Sequence, residues 1–130
     1  MGGNCLSEEK LKTPPHGDKD LGLDVVTWMA FSDKRGAYLH FIGQCATGDD
    51  WYSKLHDLKV DWWKEHVGWA VEPVRFFATP IVVPTTKWRR TCLAAGLVLD
   101  RPRLIELFFR FSVRARWIAQ IKSYCEALYT

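Results

Sequence analysis

Apolar runs separated by polar turns divide the middle of the chain into short predicted elements. Residues 21–29 and 38–45 are predicted strands, and the turn signal at residues 33–36 predicts that they pair as an antiparallel hairpin. The spacing of residues 51–58 predicts a helix with Asp49 as its N-cap. A second helical or irregular piece follows, and it carries Trp62, Trp63 and Trp69.

Alternation along the second strand decides which of its side chains share a face. One face carries His40, Ile42, Gln44 and Ala46. The other face carries Leu39, Phe41, Gly43 and Cys45. We predict that this second face points toward the core.

The C-terminal half predicts two more strands and two more helices. Residues 71–78 and 95–99 are predicted strands, the latter of the buried kind, and residues 81–83 form a short extended piece between prolines. Thr85 or Thr86 is predicted to cap a short helix that runs through Arg90.

The end of the chain predicts a long C-terminal helix. Asp100 can cap this helix, with Pro102 in its first turn. Apolar residues then recur every three or four positions, which predicts a stripe facing the core. The stripe consists of Leu104, Phe108, Phe111, Ala115, Ile118, Ile121, Cys125 and Leu128.

Length and composition fit one globular domain. The chain has 130 residues, 48% of them hydrophobic and 25% charged, which is enough for a real core. We expect a polar N-terminal arm over residues 1–20 and a single mixed α/β domain over 21–130. Neither an apolar run of the roughly 20 residues that span a bilayer nor a signal peptide is visible. The four cysteines form no CxxC pair, and Cys45, Cys92 and Cys125 lie in apolar periodic contexts. This pattern predicts buried, reduced thiols in a cytoplasmic protein.

Charge is distributed unevenly along the chain. From Lys87 to the end, the sequence contains nine basic and three acidic residues, a net charge of +6. The remainder contains nine basic and twelve acidic residues, a net charge of −3. A basic half suits a polyanion-binding surface, and phosphate contacts need only a stripe of cations. The predicted contacts are Arg89, Arg90, Arg103, Arg110 and Arg114. An ordinary solvated surface is the alternative.

One carboxylate in an apolar strand suggests chemistry. Asp24 lies in the first strand, where burial is costly unless a partner such as a metal ion compensates its charge. If the hairpin places Asp24 beside Gln44, two oxygen donors converge on one spot. Hard divalent cations such as Mg²⁺ or Mn²⁺ take such oxygens, and a bound metal can activate water and polarise a phosphodiester.

These residues resemble a known superfamily. The run Asp20-Leu21-Gly22-Leu23-Asp24, a hairpin, and then Gln44-Cys45-Ala46 resembles the PD-(D/E)XK restriction-endonuclease-like superfamily. The closest branch contains the Mrr-related enzymes, whose motif is Asp-x-Gly-x-Asp followed by Gln-x-Lys. The resemblance implies a mixed sheet flanked by helices and a metal-dependent endonuclease. Its substrate would be a nucleic acid, with DNA favoured, in a setting of bacterial restriction or phage defence.

The resemblance also assigns roles to single residues. Asp24 matches the metal-binding aspartate, and Gln44 matches the second motif position. Ala46 stands where the catalytic lysine is expected, which departs from the family. Some family members carry this lysine on the neighbouring helix, so Lys54 is the substitute, with a solvated helix lysine as the alternative.

Several alternatives stay open at this point. The family has a helix and a strand before the aspartate, so this chain is either the C-terminal part of a longer nuclease or a degenerate domain. A degenerate domain would be a catalytically inactive module that binds nucleic acid or a protein partner, in a larger complex or a homo-oligomer. A purely structural subunit with a Trp-rich surface is a third reading. Asp20 either assists the metal or shapes the turn at Gly22, and His40 is either a proton shuttle or a hydrogen-bonded, half-buried residue.

Overall fold

A computed structural model describes residues 8–10, 20–33, 35–110, 119–120, 123 and 126–127. Six strands lie in this part of the chain: β1 (Glu8–Lys10), β2 (Val25–Met29), β3 (Leu39–Cys45), β4 (Val67–Trp69), β5 (Val74–Ala78) and β6 (Leu97–Leu99). The helices are a 3₁₀ helix (Trp51–His56), α1 (Val60–His66), α2 (Thr85–Ala95) and α3 (Arg101–Arg110). The prediction of a mixed α/β fold is therefore confirmed.

The main sheet has four strands in the order β2-β3-β5-β6. The predicted hairpin is confirmed, because β2 and β3 pair antiparallel with Val25 opposite Gly43. β5 joins β3 in parallel and β6 joins β5 in parallel. Parallel neighbours need crossover connections, and the 3₁₀ helix with α1 supplies the first while α2 supplies the second. β1 and β4 form a separate two-stranded antiparallel sheet.

The core lies on the opposite face of β3 from the one predicted. His40, Ile42, Gln44 and Ala46 are buried, and on the other face only Gly43 is buried, while Cys45 is exposed. The alternation was right, but the choice of face was wrong. The core face tolerates a histidine because its Nδ1 lies 3.0 Å from the Tyr38 carbonyl oxygen.

The core forms where the crossover elements cover this face. Trp51 and Leu55 of the 3₁₀ helix pack with Phe77 of β5 and Val98 of β6. Ala95 of α2 completes the same cluster. Helices thus cover this face of the sheet over β5, β6 and the end of β3, and the end of β3 lies beside the 3₁₀ helix.

Two paired residues on the core face differ in burial, so truncating them should destabilise the protein to different extents. Ile42 is fully buried on β3, whereas its register partner Val26 on β2 is 43% exposed. We expect Ile42→Val to lower the free energy of unfolding by about 1 kcal/mol, and Val26→Ala to change it by less than about 0.5 kcal/mol. Urea unfolding measures both. A larger loss in Val26→Ala than in Ile42→Val would contradict the burial of Ile42 and the exposure of the edge strand β2.

Several predicted boundaries need correction. Residues 51–56 form a 3₁₀ rather than an α-helix, and its N-cap is Asp50, with no side-chain capping bond, instead of Asp49. α2 runs on to Ala95 and begins after Pro84, so neither threonine caps it. Residues 81–83 pair with no described strand.

The start of the last helix is as predicted, but its apolar stripe is not. The Asp100 Oδ1 accepts from the Arg103 amide at 3.5 Å, and Asp100 also bonds the Val83 amide at 3.3 Å. Within Arg101–Arg110 no residue is buried, and Phe108 is 47% exposed. The predicted core contact is therefore wrong for this part of the helix. The remaining stripe residues lie outside the described residues, as does most of the predicted arm 1–20.

The cysteines differ in exposure. Cys45 is exposed and Cys92 is half-buried, so the prediction of a buried thiol is wrong for Cys45. Cys5 and Cys125 lie outside the described part.

Across the described ranges, no helix has both the length and the apolar character that crossing a membrane requires.

Candidate functional site

A tight turn leads the chain into β2. Leu21 and Gly22 both have positive φ, 50° and 76°, and the Leu23 amide donates to the Asp20 carbonyl at 3.0 Å. The Asp20 carboxylate accepts from the Gly22 amide at 3.3 Å. Asp20 therefore shapes the turn, as one of its two predicted roles required, and it also lines the cavity described below.

The same turn lies directly against the end of the 3₁₀ helix. A Cβ on Gly22 would stand 2.6 Å from the Asp57 carbonyl carbon, and the Lys59 amide donates to the Leu21 carbonyl at 3.1 Å. Only glycine combines this conformation with this closeness. The backbone thus locks the turn before Asp24 to the helix that carries Lys54.

Asp24 stands just before β2 and is held by the backbone of β3. Its amide donates to the Gly43 carbonyl at 2.9 Å, and its Oδ2 accepts from the Cys45 amide at 2.7 Å. These bonds flank Gln44 on both sides. The hairpin therefore brings Asp24 to the end of β3, as predicted, although the residue precedes the strand rather than lying within it.

Gln44 is a buried polar residue in an apolar setting. It is 7% exposed and faces the same side of the sheet as Phe77, its register partner on β5. Its side-chain amide has no hydrogen-bond partner among the described residues, but it is not one of the fully enclosed polar groups that lack a partner. The amide therefore opens toward the cavity described below, where water or a bound ion can pair with it.

A cavity of about 580 Å³ opens between the turn, the end of β3 and the 3₁₀ helix. All three predicted catalytic residues, Asp24, Gln44 and Lys54, line it. Further charged groups on its wall are Asp20, Asp50, Asp57 and Lys59. Residues from three separate parts of the sequence therefore meet in one concave polar site.

Lys54 projects from the 3₁₀ helix between two carboxylates. Its Nζ lies 3.9 Å from the Asp50 Oδ2 and 3.8 Å from the Asp57 Oδ2. The Lys54 side chain is 44% exposed, so these ion pairs add little stability. They do restrict where the ammonium group lies, at the rim of the cavity.

Ala46 and Cys45 are the other two residues of the predicted motif, and the structure shows the surroundings of both. Ala46, where the family carries lysine, is buried and packs in the core cluster with Leu55, so a lysine there would have to displace core contacts. Although Cys45 is exposed, partial desolvation, followed by the negative charge of Asp24, raises the pKa of its thiol. Cys45 therefore stays protonated near neutral pH and is a poor nucleophile.

The donor set of the cavity fits a hard cation. No described cluster holds three or more His, Cys, Asp or Glu side chains in an arrangement suited to a metal. Mg²⁺, however, needs only one or two protein carboxylates and keeps several waters. Asp24 offers a carboxylate and Gln44 an amide oxygen without a described partner, so these two residues match that requirement.

The predicted arginine surface does not meet this cavity. Among the described arginines, none lines it. Arg103 donates to the Val98 carbonyl at 3.0 Å and lies over the Trp88 ring at 4.6 Å, and Arg110 pairs with Glu106 at 3.0 Å. Arg89 and Arg90 are exposed on α2, and Arg114 lies outside the described residues. Arg103 thus has structural contacts, which weakens its predicted phosphate role.

His40 lies outside the cavity. It is 5% exposed, contacts the Tyr38 carbonyl and packs edge-on against the Trp69 ring at 5.0 Å. These contacts match the hydrogen-bonded reading rather than the proton shuttle.

Sequence reasoning missed Asp57 and Lys59 as lining residues. Both come after the 3₁₀ helix, and they reach the cavity because the turn at Gly22 contacts this backbone. No local pattern marks them, since that contact joins residues about 35 positions apart.

Comparison of the chain with protein-family models, with curated proteins and with solved structures gives no match.

Proposed function

We propose that this protein is a metal-dependent nuclease that hydrolyses phosphodiester bonds, with DNA as the favoured substrate. The observation that carries the proposal is the convergence of Asp24, Gln44 and Lys54 on one cavity. The sheet order, with an antiparallel hairpin followed by two parallel strands, supports a restriction-endonuclease-like fold.

Each residue has a distinct task. Asp24 and Gln44 would hold Mg²⁺ or Mn²⁺, which supplies an activated water and polarises the phosphate. Lys54 places its positive charge where negative charge develops on the phosphate, and such preorganised charge is a large source of rate enhancement. Asp50 and Asp57 keep the Lys54 ammonium at the cavity rim.

Lys54 gives a direct test of this assignment. We expect Lys54→Met to lower the cleavage rate by about 100-fold, because the loss of one preorganised donor costs roughly that much. Lys54→Arg keeps the charge and should retain part of the activity. The assay measures nicking of supercoiled plasmid with Mg²⁺ or Mn²⁺. The rate in the presence of a chelator gives the background.

Lys59→Met is the matched control. Lys59 also lines the cavity, but its Nζ donates to the His56 carbonyl at 3.0 Å. Equal losses in Lys54→Met and Lys59→Met would mean that cavity charge in general matters, and they would remove the specific role of Lys54.

A non-catalytic module is the second candidate, and Ala46 favours it. With alanine packed in the core, the motif position that the family uses for lysine holds no charge. A folded wild-type protein that binds DNA equally with metal and with chelator, and that never cleaves it, would establish this second function.

A further inference from the structure

A second groove lies on the same face of the main sheet as Gln44. It has a volume of about 380 Å³. Trp28 of β2 is the register partner of His40 on β3, and the Trp69 ring of β4 packs edge-on against His40 at 5.0 Å. We call this the aromatic groove, and its lining consists of Val26, Trp28, Tyr38, His40, Val67 and Trp69.

The floor of the groove consists of buried and half-buried rings, and one further ring is exposed. His40 is 5% exposed, and Tyr38 and Trp69 are half-buried, whereas Trp28 is 57% exposed. A tryptophan exposed to this degree on a strand leaves much of its apolar ring in water.

We propose that the aromatic groove binds an unpaired nucleobase, which makes single-stranded nucleic acid the preferred substrate class. This inference rests on the proposed function for the choice of a nucleic acid. Aromatic side chains stack on the faces of unpaired bases with little dependence on sequence. A duplex keeps those faces within its own stack, and a groove at the small end of the range for ligand pockets suits one planar group.

The position of the groove links it to the cavity. Trp28 lines the groove and Asp24 lines the cavity, and the two residues are four positions apart along β2 and the residue that precedes it. At the usual rise of a strand this separation is about 13 Å. β2 is an edge strand of the sheet and is exposed along its whole length. An extended nucleic-acid strand running along β2 can therefore place a base on Trp28 while a nearby phosphate reaches Asp24.

Binding of a fluorescent oligothymidine to the full chain in chelator tests the inference, because neither metal nor cleavage is needed. We expect Trp28→Ala to weaken binding about fivefold to 100-fold, since stacking of one base accounts for that range. Trp28→Phe keeps an aromatic ring and should restore most of the affinity. Phe109→Ala is the matched control, because Phe109 is 78% exposed on α3 and lies outside the groove.

The competing outcomes are distinguishable. Metal-dependent cleavage with unchanged oligonucleotide binding in Trp28→Ala would overturn the inference and leave the nuclease intact. Binding that depends on Trp28 in a protein that never cleaves would uphold the inference and remove the enzyme. The absence of oligonucleotide binding by wild type, or equal competition by a blunt duplex, would overturn it. If Trp28→Ala changed the sedimentation coefficient of the protein but not its oligonucleotide binding, the groove would be a contact between copies of the protein, and the inference would be overturned.

Discussion

Asp24→Asn should lower metal-dependent cleavage by about 100- to 1000-fold. Metal-ion catalysis contributes several kcal/mol to a reaction barrier, and each 1.36 kcal/mol changes the rate tenfold. Asparagine removes the negative charge that would hold the cation. It keeps an oxygen that can accept from the Cys45 amide, a bond of 2.7 Å in the native protein, so the backbone around β3 should stay in place.

The experiment joins two measurements on the same variant. Mn²⁺ binding, followed by the loss of the free-ion paramagnetic resonance signal, should weaken together with plasmid cleavage. Asp33→Asn is the matched control, because Asp33 is an exposed aspartate in the turn between β2 and β3 and pairs there with Arg35. Undiminished Mn²⁺ affinity and cleavage in Asp24→Asn would remove Asp24 from the site.

Gly22→Ala should lower the free energy of unfolding by about 2–4 kcal/mol. The φ of Gly22 is +76°, and an L-residue pays roughly 1–2 kcal/mol there. Its new Cβ would also stand 2.6 Å from the Asp57 backbone, and forced overpacking costs about 1–3 kcal/mol more. The variant that still folds should cleave more slowly, because the turn before Asp24 would move away from the 3₁₀ helix.

Gly48→Ala provides the control for the Gly22 experiment. Its Cβ would meet only the Asp50 carboxylate, at 2.8 Å, and an exposed side chain can rotate away. Chemical unfolding of both variants measures the difference. A Gly22→Ala protein as stable as Gly48→Ala would show that the contact between the turn and the 3₁₀ helix does not constrain the fold.

Local sequence patterns were sufficient to predict the hairpin and the position of Asp24 beside the end of β3. Polar residues between two apolar runs fix a hairpin, and the pairing of β2 with β3 then sets the position of Asp24. The capping role of Asp100 was equally local, because its carboxylate bonds the Arg103 amide three residues later. Such features depend on neighbours in sequence.

The core face could not be found in that way. Hydrophobicity alone favours the face with Leu39 and Phe41, but the helices cover the face with His40 and Gln44. Which face is covered depends on how the crossover segments return to the sheet, and this is a property of the whole fold. The same holds for Asp57, which reaches the cavity through its contact with Gly22, and for Trp69, which β4 brings to the aromatic groove.

Cleavage by the wild-type protein, measured across a Mg²⁺ and Mn²⁺ titration with single-stranded DNA beside supercoiled plasmid, tests the central claim most directly. We expect hydrolysis that rises with metal, disappears in chelator and falls sharply in Asp24→Asn. Folded wild type that leaves both substrates intact at every metal concentration would contradict the claim that this cavity is a nuclease site.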